Sequence, residues 1–249
     1  MNAFWKRVRS WRLLPPADKE FYKLFEEAAG LLVAASGKLQ ELFDCPPPSR
    51  HEIGISIETC FAKCNQVAKS LDDPLISSQQ PPFERSEIAQ FAADATRVMK
   101  YINHAANRFL IYDIPTSDKE MRELAPIIRE ACEQIDKAVG VLSKSRKVEP
   151  FCALVNQLED KADIIYHGGL RRRFKEIRED RTKLETQITS AASPVSSDDM
   201  LAMIGANVEY TRHVAIFFIL RQVYAEMERA TDACTELAET LKRMVAENV

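Results

Sequence analysis

The 249-residue sequence contains only seven glycines, whereas sheet proteins need many turn glycines and β-branched runs. Its longest apolar run, residues 214–220, is far too short to cross a bilayer. The first nine residues lack the apolar stretch and small-residue cleavage site of a secretion signal. Six cysteines without such a signal are expected to remain thiols in the cytosol. We therefore expect a soluble, cytoplasmic, helical protein.

Other absences bear on function. The net charge is −3 and the pI is near 5.9, so the chain as a whole has no electrostatic basis for binding nucleic acid. The sequence has no Gly-rich phosphate loop, nucleophile elbow or HExxH motif, and its four histidines are scattered. These features favour a non-enzymatic protein.

Apolar residues recur at steps of three and four in six stretches, the pattern of a helix seam. The stretches are 21–42, 53–71, 88–109, 121–142, 151–165 and 216–244. Prolines at 46–48, 74, 81–82, 115 and 150 separate them. Ser117 with Glu120 predicts a capping box at the start of the fourth helix.

A short sequence repeat suggests that the chain is a tandem duplication. Asp18-Lys19-Glu20-Phe21 recurs as Asp118-Lys119-Glu120-Met121. Coincidence in a helix-rich chain is the alternative, but element order and offset also agree. We predict an all-α fold of two tandem three-helix bundles, residues 17–112 and 113–249, with an extended hairpin of the fifth and sixth helices.

Residues 1–16 form a basic, aromatic N-terminal segment. Its composition suits an anionic membrane surface or an acidic partner, whereas the alternative is a frayed terminus that packs one tryptophan on the bundle. The residues concerned are Phe4, Trp5, Lys6, Arg7, Arg9, Trp11 and Arg12.

Two acidic pairs lie at helical spacing: Glu159 with Asp163, and Glu228 with Asp232. Like charges four residues apart weaken a helix, and a bound hard cation or iron would give a reason to keep them. The alternative is a solvated face, because 37 acidic residues produce such pairs by chance. Cys60 and Cys64 have a spacing that two zinc ligands can share, but both fall on a helix seam, where cysteine acts as a small apolar residue.

At these acidic pairs the sequence resembles a known family. Residues 158–163, Leu-Glu-Asp-Lys-Ala-Asp, and residues 224–234 on the last helix resemble the E-x-x-x-D helix motif of PhoU-like proteins. Residues 15–27 and 82–88 look like the branch of phosphate-transport regulators within that family. The resemblance covers most of the chain from about residue 15.

The resemblance implies a PhoU-like six-helix fold with multinuclear metal clusters on its acidic faces. Carried over, it makes Glu159, Asp163, Glu228 and Asp232 the ligands of a transition-metal cluster, of iron or a similar metal. The first half departs from the pattern. Its second helix reads Ile-Glu-Thr-Cys-Phe-Ala at 57–62, and the aspartates expected on its third helix are replaced by Thr96, Arg97 and Lys100. We therefore predict one metal site, in the second half.

The resemblance also implies a partnership with phosphate transport, often with a Pit-type transporter. We predict a regulatory or adaptor protein of inorganic phosphate uptake, cytoplasmic and peripheral at the inner face of the membrane. The alternatives are a helical scaffold without metal and a carboxylate-bridged metal enzyme, although the Glu-x-x-His ligands of such enzymes do not occur. A homo-oligomer is compatible with the sequence. We hypothesise that the extended hairpin is a partner surface, because residues 171–173 are three arginines.

Overall fold

The structure is a computed structural model that describes residues 16–78, 80–191 and 195–246. In these ranges the backbone forms helices and no strand, so the predicted all-α class is confirmed. The N-terminal segment lies, up to residue 15, outside the described residues. The helices are α1 (Pro16–Asp44), α2 (Pro47–Ser70), α3 (Asp72–Ser77), α4 (Arg85–Ile111), α5 (Lys119–Leu142), α6 (Glu149–Ser190) and α7 (Ser197–Ala246). The six long helices contain the six predicted apolar stretches, except that Leu71, the last residue of the second stretch, lies between α2 and α3, and α3 is a short additional helix.

The start of α5 differs from the predicted capping box. Asp118 is the N-cap, and its side chain accepts a hydrogen bond from the Met121 backbone N–H at 3.2 Å. Ser117 is buried and donates to the Phe43 carbonyl oxygen instead. Glu120 is held by an arginine of α6, which removes it from the cap. The capping-box prediction is therefore wrong, because tertiary partners outcompete the local bonds.

The long helices pack into two groups that join each other. In the first half α1, α2 and α4 contact one another, and in the second half α5, α6 and α7 do so. The halves meet where α1 packs on α5 and where α4 packs along α7. Buried side chains of both halves belong to one hydrophobic core. The boundary at residues 112 and 113 stays a prediction.

The last two helices extend beyond this core. The core takes residues of α6 up to Ala162 and residues of α7 from Leu220 onward. With a rise of about 1.5 Å per residue, α6 is roughly 63 Å long and α5 only roughly 36 Å. The hairpin therefore projects past the bundle as two helices with few buried side chains. No helix in the described ranges is long and apolar enough to cross a lipid bilayer.

Candidate functional site

The four predicted site carboxylates lie along the groove between α6 and α7. Glu159 and Asp163 are one turn apart on α6, and Glu228 and Asp232 are one turn apart on α7. All four residues are half-buried. The alternative of a solvated acidic face stays open, because side chains of intermediate exposure still reach water.

Small buried residues lie beside the carboxylates on both helices. Ala162 of α6 and Ala230 of α7 are both fully buried. Each lies within one turn of the carboxylates on its own helix, so the backbones can approach closely there. The charges of Asp163 and Glu159 on α6 act on Glu228 of α7, so carboxylates of the two helices lie near one another.

Burial and neighbouring carboxylates both raise the pKa values in this groove. Burial, and then the charges of Asp232 and Asp163, raise the pKa of Glu228 to about 7. Burial, followed by Asp163 and Asp232, raises the pKa of Glu159. The pKa of Asp232 is also raised, by burial and then by Asp163 and Glu236. Carboxylates from the two helices thus repel one another across the groove.

One cation partly offsets this repulsion. The charge of Arg229 acts to lower the pKa of both Glu228 and Asp232. Its guanidinium, however, donates to Glu226 Oε1 at 3.0 Å and is half exposed. Lys161, which lies inside the motif on α6, is exposed. The groove therefore keeps an excess of negative charge.

The arrangement does not match a multinuclear metal centre. Among the side chains that the structure describes, no group of three or more His, Cys, Asp or Glu is placed to hold a metal ion. A cluster of several metal ions does not fit the carboxylates as they lie, and we derive no chemistry from one. Metal ligation by these residues stays a prediction.

The first-half groove between α2 and α4 is chemically different. Burial raises the pKa of Cys64 to about 11, although a hydrogen bond with Thr96 acts in the opposite direction. Cys60 is half-buried, and its pKa is also raised by burial. Both thiols are therefore neutral near pH 7, which suits packing rather than ligation.

A network of charged side chains at the start of the hairpin was missed by sequence reasoning. Arg172 donates from Nε to Glu120 Oε1 at 2.8 Å and from Nη2 to Glu120 Oε2 at 2.5 Å. Arg173 Nη2 donates to Asp118 Oδ2 at 3.1 Å. The hydroxyl of Tyr224, a fully buried residue of α7, donates to Asp118. The network thus ties α6 and α7 to the first turn of α5.

This network corrects the interpretation of residues 171–173 as an open basic cluster. Arg172 is bonded to Glu120 of α5, Arg173 is bonded to the N-cap Asp118, and both arginines are bonded to Glu176. Arg171 alone of the three is exposed. Two of the three charges are therefore used inside the fold, and the basis for a basic partner surface there is lost.

The pKa values of the two acidic residues in the network, Asp118 and Glu120, shift in opposite directions. Burial raises the pKa of Asp118 more than the hydrogen bonds from Arg173 and Met121 lower it. Burial also acts to raise the pKa of Glu120, but the bond from Arg172 and the nearby positive charges outweigh it, and the net pKa is lowered. Glu120 is thus an ionised carboxylate held by an arginine fork.

Gly169 makes room for this pair. A Cβ atom built at Gly169 would lie 2.7 Å from Glu120 Cγ and 3.4 Å from Tyr224 Cε2. Gly168, its neighbour, has nothing within 4 Å of that position. The two adjacent glycines of α6 therefore have different roles. Only Gly169 leaves the space beside the helix that the Glu120 side chain occupies.

A second buried carboxylate lies between α4 and α7. Glu226 is 1% exposed, and its Oε1 forms an ion pair with Arg108 Nη2 at 2.8 Å. Its other oxygen, Oε2, is buried without a hydrogen bond and lies 3.5 Å from His104 Nδ1. The position of Glu226 on the apolar seam of α7 could have indicated a buried carboxylate. Its partners could not be predicted, because α4 is far away in the sequence.

A small cavity opens beside the hairpin network. Its volume is about 250 Å³, below the usual range for a drug-sized ligand and suitable for one or two side chains. The walls combine apolar and titratable residues: Tyr112, Ile114, Pro115, Thr116, Asp118, Arg173, Arg212, His213, Ile216, Ile219 and Leu220.

Comparison with known proteins gives distant relatives. The chain is similar to the "Putative pit accessory protein" of Rhizobium meliloti (strain 1021), with 19% identity over 246 residues, 96% of this chain and 98% of that protein. It is also similar to the UPF0111 protein YkaA of Bacillus subtilis (strain 168), with 20% identity over 169 residues, 67% of this chain and 66% of that protein. No protein-family model matches the chain. The name of the first relative describes an accessory protein, and neither name describes an enzyme.

Proposed function

We propose that the chain is a non-enzymatic regulatory or adaptor protein of inorganic phosphate uptake, PhoU-like in family. It acts at the cytoplasmic face of a Pit-type transporter by binding a partner rather than by turning over a substrate. The segment at residues 1–16 adds a contact with the inner membrane surface.

The end-to-end match with the Rhizobium relative carries this proposal. At 19% identity the similarity spans 96% of one chain and 98% of the other. A shared helix pattern over a single stretch would not give this coverage. The motifs at 158–163 and 224–234 lie within it and supply the resemblance to PhoU-like proteins.

The carboxylate groove is the part of the surface that we assign to regulation. Its four acidic side chains repel one another and lie partly out of water, so a cation or a basic partner segment would relieve that repulsion. A scaffold without such a role is the alternative, and it predicts that these side chains are dispensable. A carboxylate-bridged enzyme is the less supported alternative, because the Glu-x-x-His ligands are missing from the sequence.

Phosphate uptake in the source organism tests the proposal. We expect deletion of the gene to change the initial rate of phosphate uptake, and the tagged chain to co-purify with a Pit-type transporter. A variant carrying Glu159→Gln, Asp163→Asn, Glu228→Gln and Asp232→Asn should not complement the deletion. The matched control removes four exposed carboxylates elsewhere: Glu26→Gln, Glu27→Gln, Glu123→Gln and Glu130→Gln.

The outcomes separate the candidates. Unchanged uptake together with no co-purification would overturn the phosphate role and favour the scaffold. Full complementation by the groove variant would remove the groove from the mechanism but leave the adaptor role in place. Loss of complementation by the control variant as well would point to net charge rather than to the groove.

A further inference from the structure

The projecting part of the hairpin carries an unusual share of exposed apolar side chains. Within the described part of the chain, fourteen large apolar side chains are exposed, and eight of them lie between residues 174 and 218. They are Phe174, Ile188, Val195, Met200, Leu201, Ile204, Val208 and Phe218. Two helices alone cannot cover such a set, and exposed apolar groups of this kind mark interaction sites.

The first half of α7 has two seams on opposite sides. The inner seam faces α6 and consists of residues 203, 206, 210, 213 and 217, all buried or half-buried. Phe217 packs on Phe174 of α6 with ring centroids 4.5 Å apart, and His213 contacts Asp180 of α6. The contact between α6 and α7 is thereby accounted for, and it leaves the opposite side of α7 uncovered.

The outer seam has the same spacing and is exposed at every position. It consists of Asp198, Leu201, Gly205, Val208 and Arg212, at steps of three, four, three and four. Ile204, 54% exposed, adjoins it next to Gly205. Steps of three and four are what a helix needs to pack lengthwise on another helix. We call these six residues the outer stripe.

The outer stripe is complementary to itself when it is reversed. If a two-fold axis passes between Ile204 and Gly205, Leu201 faces Val208 of the second copy. Ile204 then lies over Gly205 of the second copy, where a Cβ atom would have nothing within 4 Å. Asp198 comes within one residue of the level of Arg212 in the second copy, an arginine that is paired with Glu209 of its own helix at 2.5 Å and is 56% exposed. The large Ile204 side chain thus lies over the space at Gly205, and the negative end of the stripe lies beside its positive end. Both copies use the same patch.

We propose that the chain forms an antiparallel homodimer through the outer stripe of α7, with the two hairpins crossing near Gly205. An anionic membrane is a poorer occupant, because the stripe and its flanks carry Asp198, Asp199 and Glu209 against one arginine. The proposal does not depend on the role in phosphate uptake. The interface is smaller than a standard one, and we expect a dissociation constant of order 10 μM.

Analytical ultracentrifugation of the full chain over a concentration series tests the proposal. We expect a monomer–dimer equilibrium, and we expect Gly205→Glu to raise the dissociation constant by at least about tenfold. The monomer tolerates that change, because the position faces open space. Gly30→Glu is the matched control, since Gly30 is an exposed glycine of α1 that also has nothing within 4 Å. It should dimerise as the wild type does.

Cysteine cross-linking tests the antiparallel direction. Leu201→Cys and Val208→Cys are prepared as separate variants, mixed and oxidised with diamide. We expect a disulfide-linked dimer in the mixture and much less in either variant alone. In the antiparallel dimer, position 201 of one copy lies seven residues along the helix axis from position 201 of the other, roughly 10 Å, which is too far for a disulfide. The wild type reports the background from the native cysteines.

Three results would overturn the proposal. The first is a wild-type chain that is monomeric at about 100 μM, ten times the expected dissociation constant. The second is a dimer that Gly205→Glu leaves unchanged. The third is cross-linking of Leu201→Cys with itself as strongly as in the mixture, which would indicate parallel helices. A monomer in which Gly205→Glu abolishes transporter co-purification would assign the stripe to the transporter instead.

Discussion

Arg172 of α6 holds Glu120 of α5 with two parallel hydrogen bonds, at 2.8 and 2.5 Å. The Glu120 side chain is 7% exposed, whereas that of Arg172 is 38% exposed. The arginine therefore covers a carboxylate that the fold has removed from water. Such bidentate pairs are among the stronger polar contacts in proteins, and this one fixes where the hairpin leaves the bundle.

Removal of the arginine should leave a buried charge without its main partner. We expect Arg172→Ala to lower the free energy of unfolding by about 2 kcal/mol at neutral pH, measured by urea denaturation. The pKa of Glu120 is held below its usual value of 4.5, so this stabilisation is fully present above pH 4.5 and is lost below it, as the pH falls through the lowered pKa of the folded chain. Arg171→Ala, at an exposed position, is the control. Equal effects of the two variants would contradict the assigned role.

The adjacent glycines of α6 should respond in opposite directions to the same substitution. Gly168→Ala should stabilise the protein by about 0.5 to 1 kcal/mol, because alanine is the better helix former and the site is open. Gly169→Ala should destabilise it, because the new methyl group displaces Glu120 and disturbs its bond with Arg172. Thermal unfolding of the two variants gives the comparison directly. Stabilisation by Gly169→Ala would show that Glu120 can move without cost.

The raised pKa of Glu228 makes stability depend on pH. Below pH 4.5, its usual value, the carboxyl is protonated in both folded and unfolded chains. Between 4.5 and about 7 the unfolded chain loses the proton while the folded chain keeps it, so the free energy of unfolding falls as the pH rises. Above about pH 7, Glu228→Gln should therefore stabilise the fold, by about 1 to 2 kcal/mol after allowance for solvent screening.

The same variant should have little effect near pH 4. Denaturant titrations at the two pH values make the comparison, and Glu58→Gln on an exposed face of α2 is the control. Equal stabilisation at both pH values would mean that a cause other than the charge is responsible.

The predicted metal site can be tested by elemental analysis. If the groove holds a transition metal, purified wild-type protein should contain it and both Asp163→Ala and Asp232→Ala should lose it. The affinity for the metal should fall as the pH falls below about 7, because the Glu228 carboxyl must lose its proton to bind the metal. Asp72→Ala, at an exposed position of α3, should retain the metal. Wild-type protein that binds no iron, manganese or zinc on titration would contradict the prediction.

The helices could be predicted from the sequence because helix formation depends on residues that are close together in the chain. Apolar steps of three and four need only the chain itself to define a seam, and prolines at 46–48 and 150 mark the helix boundaries in the same way. The carboxylate pairs were also recognisable, since residues 159 and 163 must share one helical face. The spacing within each helix does not show whether the two pairs face each other. That depends on the register in which α6 and α7 pack.

What the sequence alone determined is therefore the all-helical class and the faces that become buried. Only the tertiary structure decided which charges are used inside the fold, because their partners are far apart in the chain. Arg172 and Glu120 are separated by 52 positions, and Arg108 reaches Glu226 on another helix. Periodicity describes one helix at a time, whereas the state of a charge depends on which helix lies opposite it and on how much water remains between them.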